Sequence, residues 1–105
     1  MYDNFMLKVI KPLFNNDEIV YQAKPSFRVQ LPNNLGVGEF HKDSKYREDK
    51  EWVKKIKERN FFLPLTNAKD TATIWVESES DKGDYSPMNC EYGDLVMWDG
   101  ANLTH

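Results

Sequence analysis

Along most of this chain, no run of β-favouring residues lasts long before Pro, Gly, Asn or Asp interrupts it. EIVYQ (18–22) and SFRVQL (26–31) are separated by a proline-containing turn, and PNNLGVG (32–38) is dense in residues that reverse a chain. NFFLPL (60–65), TATIWVESE (71–79) and DLVMWD (94–99) follow; SDKGDYSP and GAN supply turns, and LTH begins a further run. Pro64 has no N–H for a ladder, so it marks a sheet edge or a strand end. Many short strands with turn signals between them predict an all-β sandwich or barrel, jelly rolls included.

Two segments depart from that pattern. Phe5, Met6, Val9, Ile10 and Leu13 have helical spacing interrupted by Pro12, which predicts one short N-terminal helix. In REDKEWVKKIKER (47–59), Trp52, Val53 and Ile56 also sit at helical spacing, so a short surface helix or a loop insertion is expected there. At 105 residues the chain reads as one domain, 1–105, and 40% hydrophobic residues with 13% aromatics are enough to form a core. Phe61, Phe62, Trp75 and Trp98 are expected in that core.

Charge and cysteine content exclude several classes. A net charge of −3 offers no footprint for DNA or RNA, and the basic residues at 54, 55, 57 and 59 are interleaved with Glu51 and Glu58. The single cysteine, Cys90, permits no intrachain disulfide and suits a reducing compartment. The start MYDNFMLKVIKPLF carries an acid and two lysines, too polar for a signal peptide or a membrane span. A cytoplasmic protein without membrane or nucleic-acid partners is expected.

The chemistry concentrates in EFHKDSKY (39–46). If EFHKD is extended, Phe40 and Lys42 face one way while Glu39, His41 and Asp43 face the other. His41 and Asp43 then aim an imidazole nitrogen and a carboxylate oxygen at one point. A second imidazole from another strand would complete a facial set of three, the arrangement of non-haem Fe(II) oxygenases with open neighbouring positions. By itself the pair is also compatible with a surface turn in which Asp43 caps the following residues and His41 is solvated. The chain holds two histidines, and the other is His105, its last residue.

The stretches FRVQLPNNLGVGEFHKDSKY, NFFLPLTNAKDTATIWVESE and YGDLVMWDGANLTH, in that order, resemble the 2-oxoglutarate/Fe(II)-dependent oxygenases of the phytanoyl-hydroxylase-like group. More narrowly, they are similar to the branch related to streptomycin-biosynthesis oxygenases, and the resemblance spans about residues 20–105. The resemblance implies a double-stranded β-helix, a cupin-like jelly roll. It also implies Fe(II) and 2-oxoglutarate as cofactors and the hydroxylation of a small-molecule substrate. His41 and Asp43 match the proximal ligand pair, and His105 matches the distal histidine because it follows the GDLVMWDG strand and turn. Inward residues on equivalent strands line the cosubstrate or substrate pocket in these enzymes; here Arg28, Gln30, Asn60 and Phe62 occupy such positions. Arg28 would meet a carboxylate, or a surface acid instead. Asn60 would hydrogen-bond the keto acid, or simply start a strand.

One feature of the family is not matched. Its members carry a basic residue, usually arginine, about ten positions past the distal histidine to bind the far carboxylate of 2-oxoglutarate through two parallel hydrogen bonds. This sequence stops at His105, so a jelly roll incomplete at its C-terminus is expected, one that forms homo-oligomers through exposed strand edges. Catalysis by such a chain is doubtful on sequence grounds. Two alternatives stand beside the oxygenase. One is a metal cupin isomerase, which typically commits more histidines to its metal than this chain contains. The other is a non-catalytic β-sandwich that binds a carbohydrate or a protein.

Overall fold

Residues 2–13 of the computed structural model form one helical run: α1 (Tyr2–Phe5), a wider π turn over Met6–Ile10, and a tightened 3-10 turn over Lys11–Leu13. Met6 and Ile10, one turn apart, are buried, while Leu7, Val9 and Leu13 are exposed. Pro12 lies in the last turn, and by Phe14 the backbone is extended, so the proline ends the helix rather than kinking it. The structure describes residues 1–15, 18–34, 36, 38–48, 51 and 57–105. They divide into two compact units, Met1–Gly36 and Val37–His105.

In the first unit the Tyr21 hydroxyl donates to Asp3 Oδ1 at 2.8 Å, and Tyr21 meets the ring of Tyr2 edge-on at 5.9 Å. The strands expected over EIVYQ and SFRVQL are absent: residues 18–34 carry no sheet pairing. Their residues favour a strand, but a strand also needs a partner's backbone, which local sequence does not supply. Phe27, Val29 and Leu31 remain largely exposed as a result.

The second unit is built from antiparallel pairs. β1 (Asn60–Phe62) pairs with β4 (Val96–Trp98), placing Asn60 opposite Trp98 and Phe62 opposite Val96. The pairing lapses at Pro64, whose carbonyl accepts from Gly93 N–H at 3.1 Å, and resumes in the same register at the Ala68–Cys90 bridge. β2 (Trp75–Val76) pairs with β3 (Ser86–Pro87), and Met88 N–H donates to Ile74 O to extend the hairpin. TATIWVESE is thus a strand only at its centre, with Asp70–Ala72 forming a 3-10 turn. The tip of this hairpin is closed by Asp84, whose carboxylate accepts from the N–H and the hydroxyl of Ser78.

Among the described residues of this unit, Pro64, Ala68, Cys90, Gly100 and Ala101 are buried, as is the charged Glu77. The aromatics expected in the core, Phe61, Phe62, Trp75 and Trp98, are half-buried instead. Among the described residues, small strands in two two-stranded sheets with one short N-terminal helix are compatible with an all-β fold. The helix or insertion expected over 47–59 falls mainly outside the described residues. Among the described residues no helix is long and apolar enough to cross a membrane.

Candidate metal centre

Residues 41 and 105 meet as an antiparallel pair. His41 N–H donates to His105 O at 2.9 Å, and His105 N–H donates to His41 O at 3.0 Å. Directly opposed residues in such a pair project to the same face of the sheet. The imidazoles accordingly lie side by side, with ring centroids 4.8 Å apart.

The expected alternation around His41 also holds. Phe40 packs against Tyr85 at 4.5 Å between ring centroids, and Lys42 Nζ donates to Ser80 Oγ and Asp81 Oδ1 at 2.8 and 2.6 Å. Both side chains therefore reach the tip of the β2–β3 hairpin, leaving His41 and Asp43 to the opposite face. Asp43 opens a 3-10 turn, Asp43–Tyr46, and makes no side-chain cap there, unlike in the surface-turn reading. Its N–H donates instead to Gly100 O at 2.8 Å.

Three potential ligand atoms, one each from His41, Asp43 and His105, lie within 4.8 Å of one another. Asp43 Oδ1 is 3.4 Å from His41 Nε2 and 3.9 Å from His105 Nε2. The His105 side chain is 10% exposed, against 25% for His41 and Asp43, which makes it the deepest of the three. Trp98 and Tyr46 flank the pair, each meeting a histidine ring edge-on at 5.4 Å.

The surrounding hydrogen bonds test whether these side chains suit a cation. His41 Nδ1 is 2.7 Å from Glu39 O, and His105 Nδ1 is 3.0 Å from Leu103 O. A carbonyl only accepts, so both contacts require Nδ1 to carry the proton, which leaves the Nε2 lone pair free in each neutral ring. Asn60 Nδ2 donates to Asp43 Oδ2 at 2.6 Å, occupying one carboxylate oxygen and leaving Oδ1 toward the histidines. Two neutral nitrogens and one anionic oxygen, each oriented by an outer partner, fit an intermediate divalent metal.

The fold positions that outer shell closely. Asn60 stands across from Trp98 at the start of β1, and its amide lies over Gly100 where any side chain would collide with it. A turn at Asp99–Asn102 returns the chain from β4, with Leu103 N–H donating to Asp99 O and Asn102 Nδ2 to Asp99 Oδ2. Arg59 holds the same aspartate at 3.2 Å.

Of the remaining expected pocket residues, Phe62 shares a face of β1 with Asn60 and is half-buried. Arg28 and Gln30 belong to the other unit, where they are exposed and lie in no strand. Residue patterning did not single out Glu77 or Gly100. A carboxylate inside an otherwise β-type run, and a glycine directly after the strand leading to His105, are the signals that point to them.

Comparison with known proteins gives one curated relative. The chain is 32% identical to the streptomycin biosynthesis protein StrG of Streptomyces griseus over 114 aligned positions, which cover 99% of this chain and 50% of that protein. The chain thus spans about half the length of the curated relative it matches. No family model and no solved structure matches it.

Proposed function

We propose that this chain carries the metal centre of a non-haem Fe(II)/2-oxoglutarate-dependent dioxygenase that hydroxylates a small molecule. The observation that carries the reading is the convergence of His41, Asp43 and His105 with both Nε2 lone pairs free. Similarity to a streptomycin biosynthesis protein supports a substrate from secondary metabolism, of the amino-sugar class. Convergence of two imidazoles with one carboxylate favours a two-histidine, one-carboxylate centre over a histidine-rich cupin isomerase.

The two imidazoles and Asp43 Oδ1 would hold the metal, each histidine fixed in one tautomer by the carbonyl behind it. One carboxylate against a divalent cation leaves a net positive centre, suited to an anionic keto acid. Fe(II), once held there with 2-oxoglutarate and O₂, would supply the oxidation, one oxygen atom going to succinate as CO₂ leaves and the other into a substrate C–H bond. Asn60 occupies Asp43 Oδ2, so Asp43 would offer a metal the single oxygen Oδ1. Trp98 and Tyr46 limit the directions from which substrate and water approach.

Anaerobic titration with Fe(II) followed by 2-oxoglutarate tests the proposal. One Fe(II) bound per chain and a weak visible charge-transfer band on adding the keto acid are expected. His41→Ala should abolish both. Iron binding that survives His41→Ala, as a non-catalytic sandwich would allow, contradicts the reading.

A further inference from the structure

We infer that Glu77 is a positioning residue for the third ligand: its buried carboxylate stands in for a neighbouring strand and fixes the backbone that presents His105. The inference rests on the metal reading above and concerns how this chain builds that site.

Residues 104 and 105 behave as a strand bonded on both sides. In an extended backbone the polar groups of successive residues point in opposite directions. Both groups of His105 are taken by His41. Those of Thr104 must find partners on the other side, and both find them in Glu77. Glu77 N–H donates to Thr104 O at 3.1 Å, as in an ordinary ladder. The returning bond does not come from a backbone carbonyl: Thr104 N–H donates to Glu77 Oε1 at 2.6 Å.

The second oxygen, Oε2, accepts from Gly83 N–H at 3.2 Å, so the carboxylate spans from the β2–β3 turn to the C-terminal segment. Gly83 has φ +71°, a conformation that turns its N–H inward at little cost for glycine. Glu77 is 1% exposed and is the buried charged residue among those described. Burying a carboxylate is unfavourable unless it is well satisfied, so this placement is selective about its partners. Its hydrogen bonds, that from Thr104 foremost, hold its pKa down at about 2, so it stays ionised through the neutral range. A charged acceptor makes a shorter and stronger bond than a carbonyl would. The adjacent residue is the deepest ligand, so a slip at Thr104 moves the His105 ring directly.

Glu77→Ala removes both acceptors. Glu77→Gln keeps one oxygen for Thr104 but turns an NH₂ toward Gly83 N–H. The exposed Glu79→Gln controls for loss of a negative charge near a cation. Two readouts apply. In the metal-free protein, amide hydrogen exchange at Thr104 and His105 should quicken at least about tenfold in Glu77→Ala, less in Glu77→Gln, and stay unchanged at Phe61 in β1. With Co(II) as probe, affinity should fall about 10- to 100-fold in the alanine variant and by less in the glutamine variant. Wild type should show two paramagnetically shifted imidazole N–H signals, and the alanine variant one.

Unchanged Thr104 and His105 exchange in either folded variant overturns the inference, as does Co(II) affinity equal to that of Glu79→Gln. Should Glu77→Ala fail to fold, Glu77→Gln decides on the same criteria. If wild type binds no Co(II), the metal reading fails, while the exchange data still decide whether Glu77 fixes this segment.

Discussion

At the scale of single residues, the candidate centre depends on groups that never touch the ligand point. Asn60 bonds Asp43, and the carbonyls of Glu39 and Leu103 set the histidine tautomers. Asn60→Ala frees Asp43 Oδ2 and should weaken Fe(II) binding about 10- to 100-fold by calorimetry, with little change in far-UV circular dichroism. Equal affinity would show that Asp43 needs no orienting partner. Gly100→Ala drives a methyl group into the Asn60 amide. The overpacking should cost about 1–3 kcal/mol in thermal unfolding and also lower metal affinity. A full-affinity Gly100→Ala variant would mean that the backbone yields without disturbing Asn60.

At the scale of elements, the ligand-bearing segments were legible in the sequence to the degree that their side chains alternate. His41 and Asp43 share a face as the period of two requires, and β1, β2 and β4 lie within the runs NFFLPL, TATIWVESE and DLVMWD. What alternation cannot encode is pairing. EIVYQ and SFRVQL are equally rich in strand-favouring residues and carry no sheet pairing, whereas LTH, a three-residue run, is bonded on both sides. Glu77 was illegible for the same reason, since its role exists only once Thr104 arrives beside it. The acid limb of stability carries its signature. The folded-state pKa near 2 lies below the ordinary value of 4.5, so the unfolded chain binds the proton more readily. Glu77 therefore stabilises the fold above about pH 4.5, and that contribution is lost as pH falls toward 2. Acid unfolding followed by tryptophan fluorescence should be less steep over this window in Glu77→Gln. An unaltered slope would mean that the carboxylate is not held ionised.

At the scale of the whole molecule, two features stand out: a polar centre assembled by Asp43–Tyr46, β1, β4 and the C-terminal segment, and an unpaired stretch with Phe27, Val29 and Leu31 exposed. Exposed alternating apolar residues in a segment without sheet partners favour pairing between chains. Sedimentation should therefore show dimers that dissociate in Phe27→Ser; a monodisperse monomer at all concentrations would remove self-association. Function rests on the other feature. A crystal structure of the Mn(II)-loaded protein, with anomalous scattering to locate the ion, addresses it most directly. The expected result is a single site about 2 Å from His41 Nε2, Asp43 Oδ1 and His105 Nε2 together. Mn(II) bound elsewhere, or held by fewer than these three atoms, would contradict the account.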